Sequence, residues 1–294
     1  MTRTVILANP VSGSGDIETK RAMLMPAAAI LNAPIYGLET RSESEFIQCG
    51  VELAKDADRL AIAGGDGAFS QIVNAIDSRQ TALAYFPMGS GNALRHAFKV
   101  NGLSFEAIAK RIAELPERSL DLIDCDGRKR AFMASVGIEA VALALRGKHT
   151  LTGRSRFSAY VHAAMDAYFK EYLRQPAAIT IDGETRNANR LLTAMIVKQP
   201  YYGFGMKVAP RARFDDGKLH TLVVESGLIG VGMLIAESFT IGNRVGRYRT
   251  AETMTVRCEL PLRLQYDGEL GWEATSFQFR VMTGALRIAG LKAE

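Results

Sequence analysis

Asp66 lies among three glycines in the segment LAIAGGDGAFSQIVNAI, residues 60–76. Leu60–Ala63 is a short apolar run typical of a buried strand, and from Phe69 onward apolar residues recur with the period of a helix. Glycines at such a strand-to-helix turn let a ligand approach the backbone, and the first N–H groups of a helix bind phosphate. The carboxylate of Asp66 would repel a phosphate unless a divalent cation or a reacting hydroxyl lies between them. The alternative is a tight turn in which Asp66 only caps the helix.

Two further glycine-rich turns, NPVSGSG (9–15) and PMGSGN (87–92), also follow predicted strands. Because ligands of parallel sheets bind at the carboxyl ends of the strands, we expect the three turns to gather at one edge. Two acidic turns come later in the chain, FDDGK (214–218) and YDGEL (266–270). By itself, each acidic turn would indicate only a solvated turn or hairpin.

Residues 1–125 alternate strand and helix patterns, which predicts an α/β domain with a parallel sheet. The predicted strands are 4–8, 34–38, 60–63 and 82–86. The predicted helices are 18–32, 44–55, 69–76, 92–98 and 104–115, the first of them interrupted at Pro26.

Residues 126–294 are rich in strand patterns and predict a mainly antiparallel β domain, interrupted by helices at 155–173 and 230–243. The second helix belongs to the apolar segment 222–241, in which Glu225 and Glu237 argue against a membrane span. We therefore interpret that segment as a strand, a turn and a buried helix. The boundary falls near DCDGRKR (124–130), with the last residues of the chain free to pack back on the first domain.

The composition is that of an ordinary soluble globular protein: 294 residues, 48% hydrophobic and 23% charged. A formal net charge of +5 and an isoelectric point of about 9.1 favour an anionic partner, such as a nucleotide, a nucleic acid or an acidic membrane surface. Three widely spaced cysteines lack metal-ligand spacing and indicate reduced thiols. The N-terminal segment lacks the features of a signal peptide, so a cytoplasmic location is expected.

The five turns, in their order along the chain, resemble those of the diacylglycerol kinase and sphingosine kinase family of lipid kinases. Three further segments fit the same resemblance: VGIEAV (136–141), GRSRFSAYVHAA (153–164) and YYGFGMKVAP (201–210). The chain is similar to the small soluble bacterial members of the family. It implies an α/β nucleotide domain followed by a β-sandwich-like lipid kinase domain with a lipid-acceptor cleft. The implied reaction transfers the γ-phosphoryl group of ATP, with Mg²⁺, to a lipid hydroxyl. The chain lacks GxxxxGK[ST], so the phosphate loop is not of the Walker type.

The resemblance also assigns residues to roles. Those implied to bind the nucleotide lie in four turns: Asn9, Ser12, Gly13, Thr40, Gly64, Gly65, Asp66, Gly67, Ser90, Gly91 and Asn92. Glu269 matches the proton acceptor, with Asp267 beside it, and Asp66 is a rival for that role. In RARFDDGKL, the Asp216 carboxylate and the carbonyls of Arg213 and Lys218 match a structural metal site, suited to Mg²⁺ or Ca²⁺. The alternative for that segment is a type I turn with its acidic groups in solvent.

Departures from the family pattern bear on the acceptor. Ala68 stands where threonine is common, and GSGNAL is closer to the sphingosine kinase version. Lys198–Gln199 replaces an expected Asn–Gly pair, and the sequence gives this replacement no clear consequence. Sphingosine kinases hold the amine with an acidic residue after the VGIEAV region, where this chain has apolar residues 141–143. We therefore expect a neutral acceptor, diacylglycerol or ceramide.

The expected partners are this neutral lipid and an anionic membrane surface met peripherally through the basic segment 146–156, with no nucleic acid. Three alternatives stay open. They are a sphingoid-base kinase, a kinase of a soluble acceptor such as NAD, and a non-catalytic regulator that binds nucleotide or lipid.

Overall fold

The computed structural model describes residues 2–89, 93–150 and 162–292. The chain forms two compact units, of which the first comprises Met1–Asp121 and Thr283–Glu294 and the second comprises Leu122–Met282. The chain therefore returns to the first unit in its last residues.

The first unit contains a parallel sheet. Its strands are β1 (Thr4–Ala8), β2 (Ile35–Tyr36), β3 (Arg59–Gly64) and β4 (Ala82–Pro87). They lie in the order β2–β1–β3–β4, and the returning chain adds a parallel bridge between Ile288 and Leu83. The strands β1, β3 and β4 are buried along almost their whole length, as expected when helices cover both faces of a parallel sheet. The predicted α/β architecture is confirmed for this part of the chain.

Helices connect these strands. They are α1 (Ile17–Leu31), α2 (Glu43–Ala54), α3 (Asp66–Ala75), α4 (Ala93–Ala97) and α5 (Phe105–Glu114). The caps explain several boundaries, because Asp16, Ser42 and Ser104 each accept a hydrogen bond from a backbone N–H in the first turn of α1, α2 and α5.

The predicted interruption of the first helix at Pro26 is wrong, since α1 continues through it. Proline removes one intrahelical hydrogen bond. That loss is offset by the Asp16 cap, by the left-handed Asn32 at the C-terminal end, and by burial of Leu24 and Ala27. Tertiary packing and caps therefore outweigh the local preference at this position.

The second unit is mainly antiparallel, as the sequence predicts. Its strands are β5 (Arg118–Cys125), which begins in the first unit, β6 (Lys129–Ala131), β7 (Met133–Gly137), β8 (Ala177–Ile181), β9 (Glu184–Ala188), β10 (Thr193–Val197), β11 (Leu219–Val224), β12 (Arg247–Ala251), β13 (Thr253–Tyr266) and β14 (Glu269–Ile288), which ends in the first unit. The main path runs β12–β11–β10–β7–β13–β14, and β8 pairs with β13 and β9. All of these pairings are antiparallel.

Two helices of the second unit differ from prediction. Helix α6 (Ile138–Thr150) was not predicted at all. Of the predicted helix 155–173, residues 155–161 lie outside the described residues, residues 162–166 are α-helical as predicted, and Ala167–Glu171 continues the helix as a π-helical turn.

The helix α7 (Leu228–Phe239) exists, but the prediction that it is buried is wrong. Val231 and Leu234 pack on the core, whereas Ile229 is 83% exposed and Met233 is 51% exposed. In the described part of the chain, no helix combines the length and the apolar character needed to cross a bilayer.

Candidate functional site

The three glycine-rich turns of the first unit contact one another at the carboxyl ends of β1, β3 and β4. The backbone N–H of Gly65 donates to Ser12 Oγ at 3.3 Å, and the N–H of Met88 donates to the carbonyl of Gly64 at 2.9 Å. A Cβ on Gly13 would lie 2.6 Å from the Met88 carbonyl oxygen. The three turns therefore lie together at one edge of the parallel sheet, as the sequence predicts.

Two of these glycines have a steric reason. Gly13 has φ of +76°, which side chains rarely adopt, and a Cβ on Gly64 would lie 2.8 Å from that of Ala68. The same Cβ would lie 3.6 Å from Ser12 Oγ, an ordinary van der Waals contact between the first and second turns. Asn9 shapes its own turn, because its Oδ1 accepts from the N–H of Val11 at 3.0 Å.

Thr40 belongs to a fourth turn at the same edge. Its hydroxyl donates to the carbonyl of Gly37 at 2.7 Å. Gly37 has φ of +90°, and a Cβ there would lie 2.7 Å from the carbonyl oxygen of Ala8, the last residue of β1. Thr40 is thus held close to the end of β1, with its hydroxyl proton used by the main chain.

The second turn presents the start of a helix. Gly65 is the N-cap of α3 and offers no side chain to the first N–H groups, so Asp66 and Gly67 form the first turn of the helix. Such unpaired N–H groups, together with the helix dipole, are suited to an anion such as phosphate.

The carboxylate of Asp66 connects the second turn to the third. It accepts from the backbone N–H of Ala93 at 2.5 Å, from that of Leu94 at 3.4 Å, and from the hydroxyl of Tyr85 at 3.1 Å. It therefore caps α4 and not its own helix, which corrects the capping alternative. Ser90, Gly91 and Asn92 lie outside the described residues, so their nucleotide role stays a prediction.

Burial raises the pKa values of Asp66 and Tyr85. Desolvation raises the pKa of the Asp66 carboxyl to about 6, against the opposing effect of its three donors. Desolvation and the neighbouring carboxylate also raise the pKa of Tyr85, so its hydroxyl remains a donor. Asp66 therefore changes its charge close to neutral pH.

Two basic residues near these turns were missed by sequence reasoning. Lys20 is only 4% exposed, and its ammonium donates to the carbonyl of Pro10 in the first turn. Arg95 lies in α4, and its Nε is buried without a hydrogen-bond partner among the described residues. Both were overlooked because a single lysine or arginine on a helix gives no sequence signal of its own.

In the second unit, Asp267 and Gly268 form a two-residue hairpin turn between β13 and β14, with φ of +45° and +86°. The Asp267 carboxylate accepts from the N–H groups of Phe132 at 3.1 Å and Met133 at 3.0 Å. These bonds attach the hairpin tip to the segment that begins β7. Glu269, by contrast, is exposed. The two neighbouring carboxylates thus have different surroundings.

A further carboxylate turns inward in the second unit. Glu139, in the first turn of α6, accepts from the hydroxyl of Thr193 at 2.6 Å. Burial raises its pKa, against the opposing effect of that hydrogen bond. Its neutral form is therefore favoured more than that of an ordinary glutamate.

The segment RARFDDGKL has a lysine side chain at its centre. Lys198 follows β10, its side chain is 0% exposed, and its Nζ donates to Asp216 Oδ1 at 2.9 Å and to the carbonyl of Lys218 at 2.5 Å. Asp216 Oδ1 also accepts from the N–H of Lys218 at 3.1 Å. Asp216 and the carbonyl of Lys218 are two of the three predicted metal ligands.

His220 lies on the other side of the same carboxylate. Its Nε2 is 2.9 Å from Asp216 Oδ2 and 3.1 Å from the backbone N of Arg213, the third residue of the predicted site. Its Nδ1 is 2.5 Å from the hydroxyl of Tyr248. Burial lowers the pKa of His220, and the Lys198 ammonium keeps the pKa of Asp216 below its usual value against the effect of burial. No group of three or more His, Cys, Asp or Glu placed to hold a metal occurs among residues 2–89, 93–150 and 162–292.

Comparison with known families gives two adjacent matches. The diacylglycerol kinase catalytic domain matches residues 3–125, and the YegS C-terminal NAD kinase beta sandwich-like domain matches residues 132–290. The chain belongs to the family of the YegS C-terminal NAD kinase beta sandwich-like domain, which matches more than half of it, and its N-terminal part matches the diacylglycerol kinase catalytic domain. The family resemblance inferred from the five turns is therefore confirmed, and so is the order of an α/β domain followed by a β-sandwich-like domain.

Individual relatives of this family member are distant. A candidate lipid kinase of Bacillus subtilis, YtlR, is 27% identical over 184 residues, which are 57% of this chain and 58% of that protein. A diacylglycerol kinase of Mycobacterium tuberculosis is 23% identical over 236 residues, covering 76% of this chain and 74% of the relative. The chain thus spans little more than half the length of YtlR and about three quarters of the mycobacterial enzyme.

Solved structures agree with the fold. A diacylglycerol kinase from Bacillus anthracis superposes with a TM-score of 0.77 at 20% identity, covering 97% of this chain and 96% of that one. An NAD kinase from Archaeoglobus fulgidus in complex with ATP gives a TM-score of 0.53 at 14% identity, covering 100% of this chain and 94% of that one. At these identities the likeness concerns the fold alone.

Proposed function

We propose that this protein is an ATP-dependent lipid kinase, which transfers the γ-phosphoryl group of ATP to a hydroxyl of a neutral lipid, diacylglycerol or ceramide. The observation that carries the proposal is the contact of three glycine-rich turns at one edge of a parallel sheet, in a chain whose two domains are those of a lipid kinase family. Phosphoryl transfer requires mainly positioning and electrostatic stabilisation, which such a backbone cradle supplies.

In this proposal the triphosphate lies on the turn Gly64–Gly67 and on the first N–H groups of α3. Lys20 keeps the neighbouring turn in place through the Pro10 carbonyl, and Arg95 adds positive charge close by. Mg²⁺ commonly binds one or two carboxylates together with substrate phosphates and keeps several waters. Asp66 is the candidate carboxylate, and Mg²⁺ would supply charge neutralisation on the phosphates.

The proton of the acceptor hydroxyl has two candidate bases. Asp66, with a pKa near 6, is matched to proton transfer close to neutral pH. Glu269 is exposed at a hairpin whose tip is fixed by Asp267, and it matches the family's proton acceptor. We favour Glu269, because both oxygens of Asp66 already accept hydrogen bonds from Tyr85 and from the first N–H groups of α4.

A neutral lipid headgroup fits the second unit better than an ammonium. A buried ammonium needs a charged carboxylate as partner. The residues that follow Glu139 in α6 include Val141 and Ala142, which are apolar and pack in the core. Glu139 itself is bonded to Thr193, and burial favours its uncharged form.

Helix α7 provides a candidate surface for the membrane that contains the acceptor. Its exposed apolar side chains and the one that follows the helix are Leu228, Ile229, Met233, Ile235, Phe239 and Ile241. Exposed Lys207 and Arg244 contact the C-terminal end of the helix through their backbone N–H groups. An apolar helix face with basic neighbours is typical of helices that lie in an anionic membrane interface. The basic segment 146–156, from which sequence reasoning inferred this contact, lies mostly outside the described residues.

The test is a phosphorylation assay with γ-labelled ATP and Mg²⁺ in mixed micelles. Diacylglycerol, ceramide and sphingosine are compared by kcat/KM, with NAD as a soluble acceptor and the Asp66→Asn variant as a control. We expect label on diacylglycerol or ceramide and a large loss in the variant. Label on NAD alone, or on no acceptor, would overturn the lipid kinase proposal. If sphingosine is the best acceptor, the proposal of a neutral headgroup is wrong, and Glu139 becomes the candidate partner of the amine.

A further inference from the structure

The positive charge inside the predicted metal turn is a lysine side chain. The Nζ atom of Lys198 contacts Asp216 Oδ1 and the carbonyl oxygen of Lys218, which are two of the three oxygen groups assigned to the metal. The side chain is fully buried, so the ammonium takes its neutralising charge from Asp216 inside the protein.

We propose that Lys198 replaces the divalent cation of this turn, and that the segment 213–220 is held together without a metal ion. The donor set around Asp216 supports this. Oδ1 accepts from Lys198 and from the N–H of Lys218, and Oδ2 faces His220 Nε2. A cation coordinated by Asp216 Oδ1 would have to take the place of the Lys198 ammonium.

Charge leads to the same conclusion. The buried Lys198 ammonium is paired with the Asp216 carboxylate, and adding a divalent cation to this pair would leave a net positive charge on it. The ammonium and the cation would also repel each other at contact distance, which is strong repulsion where water is excluded. The residues present therefore do not fit Mg²⁺ or Ca²⁺ at this turn.

The sequence carries the same substitution. The resemblance to the lipid kinases implies Asn–Gly where this chain has Lys198–Gln199. An asparagine amide at position 198 would carry no charge and would leave the Asp216 carboxylate without its ammonium partner. A lysine at that position supplies the charge itself, and its backbone is fixed because its N–H donates to the carbonyl of Phe132 at 2.8 Å.

The experiment measures thermal unfolding of the full chain without nucleotide, in EDTA and in Mg²⁺ or Ca²⁺. All proteins in this experiment carry Asp66→Asn, so that a cation bound at the glycine-rich turns of the first unit does not contribute to the change of Tm. We expect no change of Tm on adding the cations to the protein that retains Lys198. The variant Lys198→Asn should melt lower in EDTA and should recover by roughly 2–4 °C or more in the cations, because a ligand of the native state stabilises it. Lys198→Met, uncharged but similar in length, should melt lower and recover less than the asparagine variant.

Two results would overturn the inference: a cation-dependent rise of Tm in the protein that retains Lys198, or a Lys198→Asn variant that folds and does not respond. If the Lys198 variants fail to fold, terbium luminescence of the Asp66→Asn protein measures whether a cation binds at this segment. Asp215→Asn is the matched control, because it removes the neighbouring carboxylate and leaves Asp216 in place. Terbium binding at this segment would contradict the inference, and its absence would support it. Neither readout depends on kinase activity, so failure of the inference and failure of the proposed function are distinguishable.

Discussion

Replacing Asp66 by asparagine should change how the stability of the protein depends on pH. In the folded protein the Asp66 carboxyl has a pKa of about 6, raised by burial from an ordinary value of 3.8. The difference corresponds to about 3 kcal/mol, at about 1.4 kcal/mol for each pH unit. Asp66 thus binds its proton more tightly in the folded protein than in the unfolded chain. As pH rises from 3.8 to about 6, the wild-type protein therefore loses this stability, and above that range the loss is complete.

The asparagine variant has no proton to lose. Its amide oxygen can still accept the N–H of Ala93, and its amide nitrogen can donate to the hydroxyl of Tyr85. The N–H of Leu94 loses its acceptor, which costs about 1–3 kcal/mol at every pH. This constant cost does not alter the slope. We expect the stability of the variant, relative to wild type, to increase by about 3 kcal/mol between about pH 4 and pH 7.

Denaturant unfolding at a series of pH values measures this difference, and Asp56→Asn, at an exposed site in the same unit, is the matched control. A relative stability that stays flat with pH would show that burial does not dominate at Asp66. A relative stability that falls with pH would show that the three donors lower the pKa of the carboxyl instead. Kinase activity, measured on the same samples, separates the effect of the substitution on stability from its effect on turnover.

Further substitutions test other parts of the site. Glu269→Gln should lower kcat by about 10²–10⁴-fold with little change in Tm, because the side chain is exposed, and an unchanged kcat would exclude it as the base. Asp267→Ala should instead lower the free energy of unfolding by about 1–3 kcal/mol, measured by denaturant unfolding, since it removes the acceptor of two backbone N–H groups, and no loss would contradict the anchoring role. Lys20→Met should raise the KM for ATP, because the first turn loses its contact at Pro10, and an unaltered KM would argue against this positioning role. Ile229→Glu should weaken binding to anionic vesicles by about tenfold or more in a sedimentation assay without lowering Tm, whereas equal binding would exclude α7 as the membrane surface.

Local patterns in the sequence predicted the strands and the five helices of the first unit, because apolar periodicity and glycine turns depend on neighbouring residues. The errors came where distant contacts decide. Helix α1 continues through Pro26 because caps and packing stabilise it, and α7 is exposed although its sequence is apolar. The pairing of Lys198 with Asp216 joins residues 18 positions apart and could not be read from either residue alone. The role of Lys198–Gln199 was for that reason left open by the sequence.

Three aspartates of the turns have a common structural role. Asp66 accepts from the start of α4, Asp267 accepts from the start of β7, and Asp216 accepts from Lys198. In each case a short turn is attached to a segment distant in sequence, so substitution will affect folding as well as any chemistry. Glu269 is exposed, and burial of its side chain therefore contributes little to stability. A loss of turnover in Glu269→Gln with intact Tm would consequently be direct support for a chemical role. The same loss in an aspartate variant needs the stability measurement beside it.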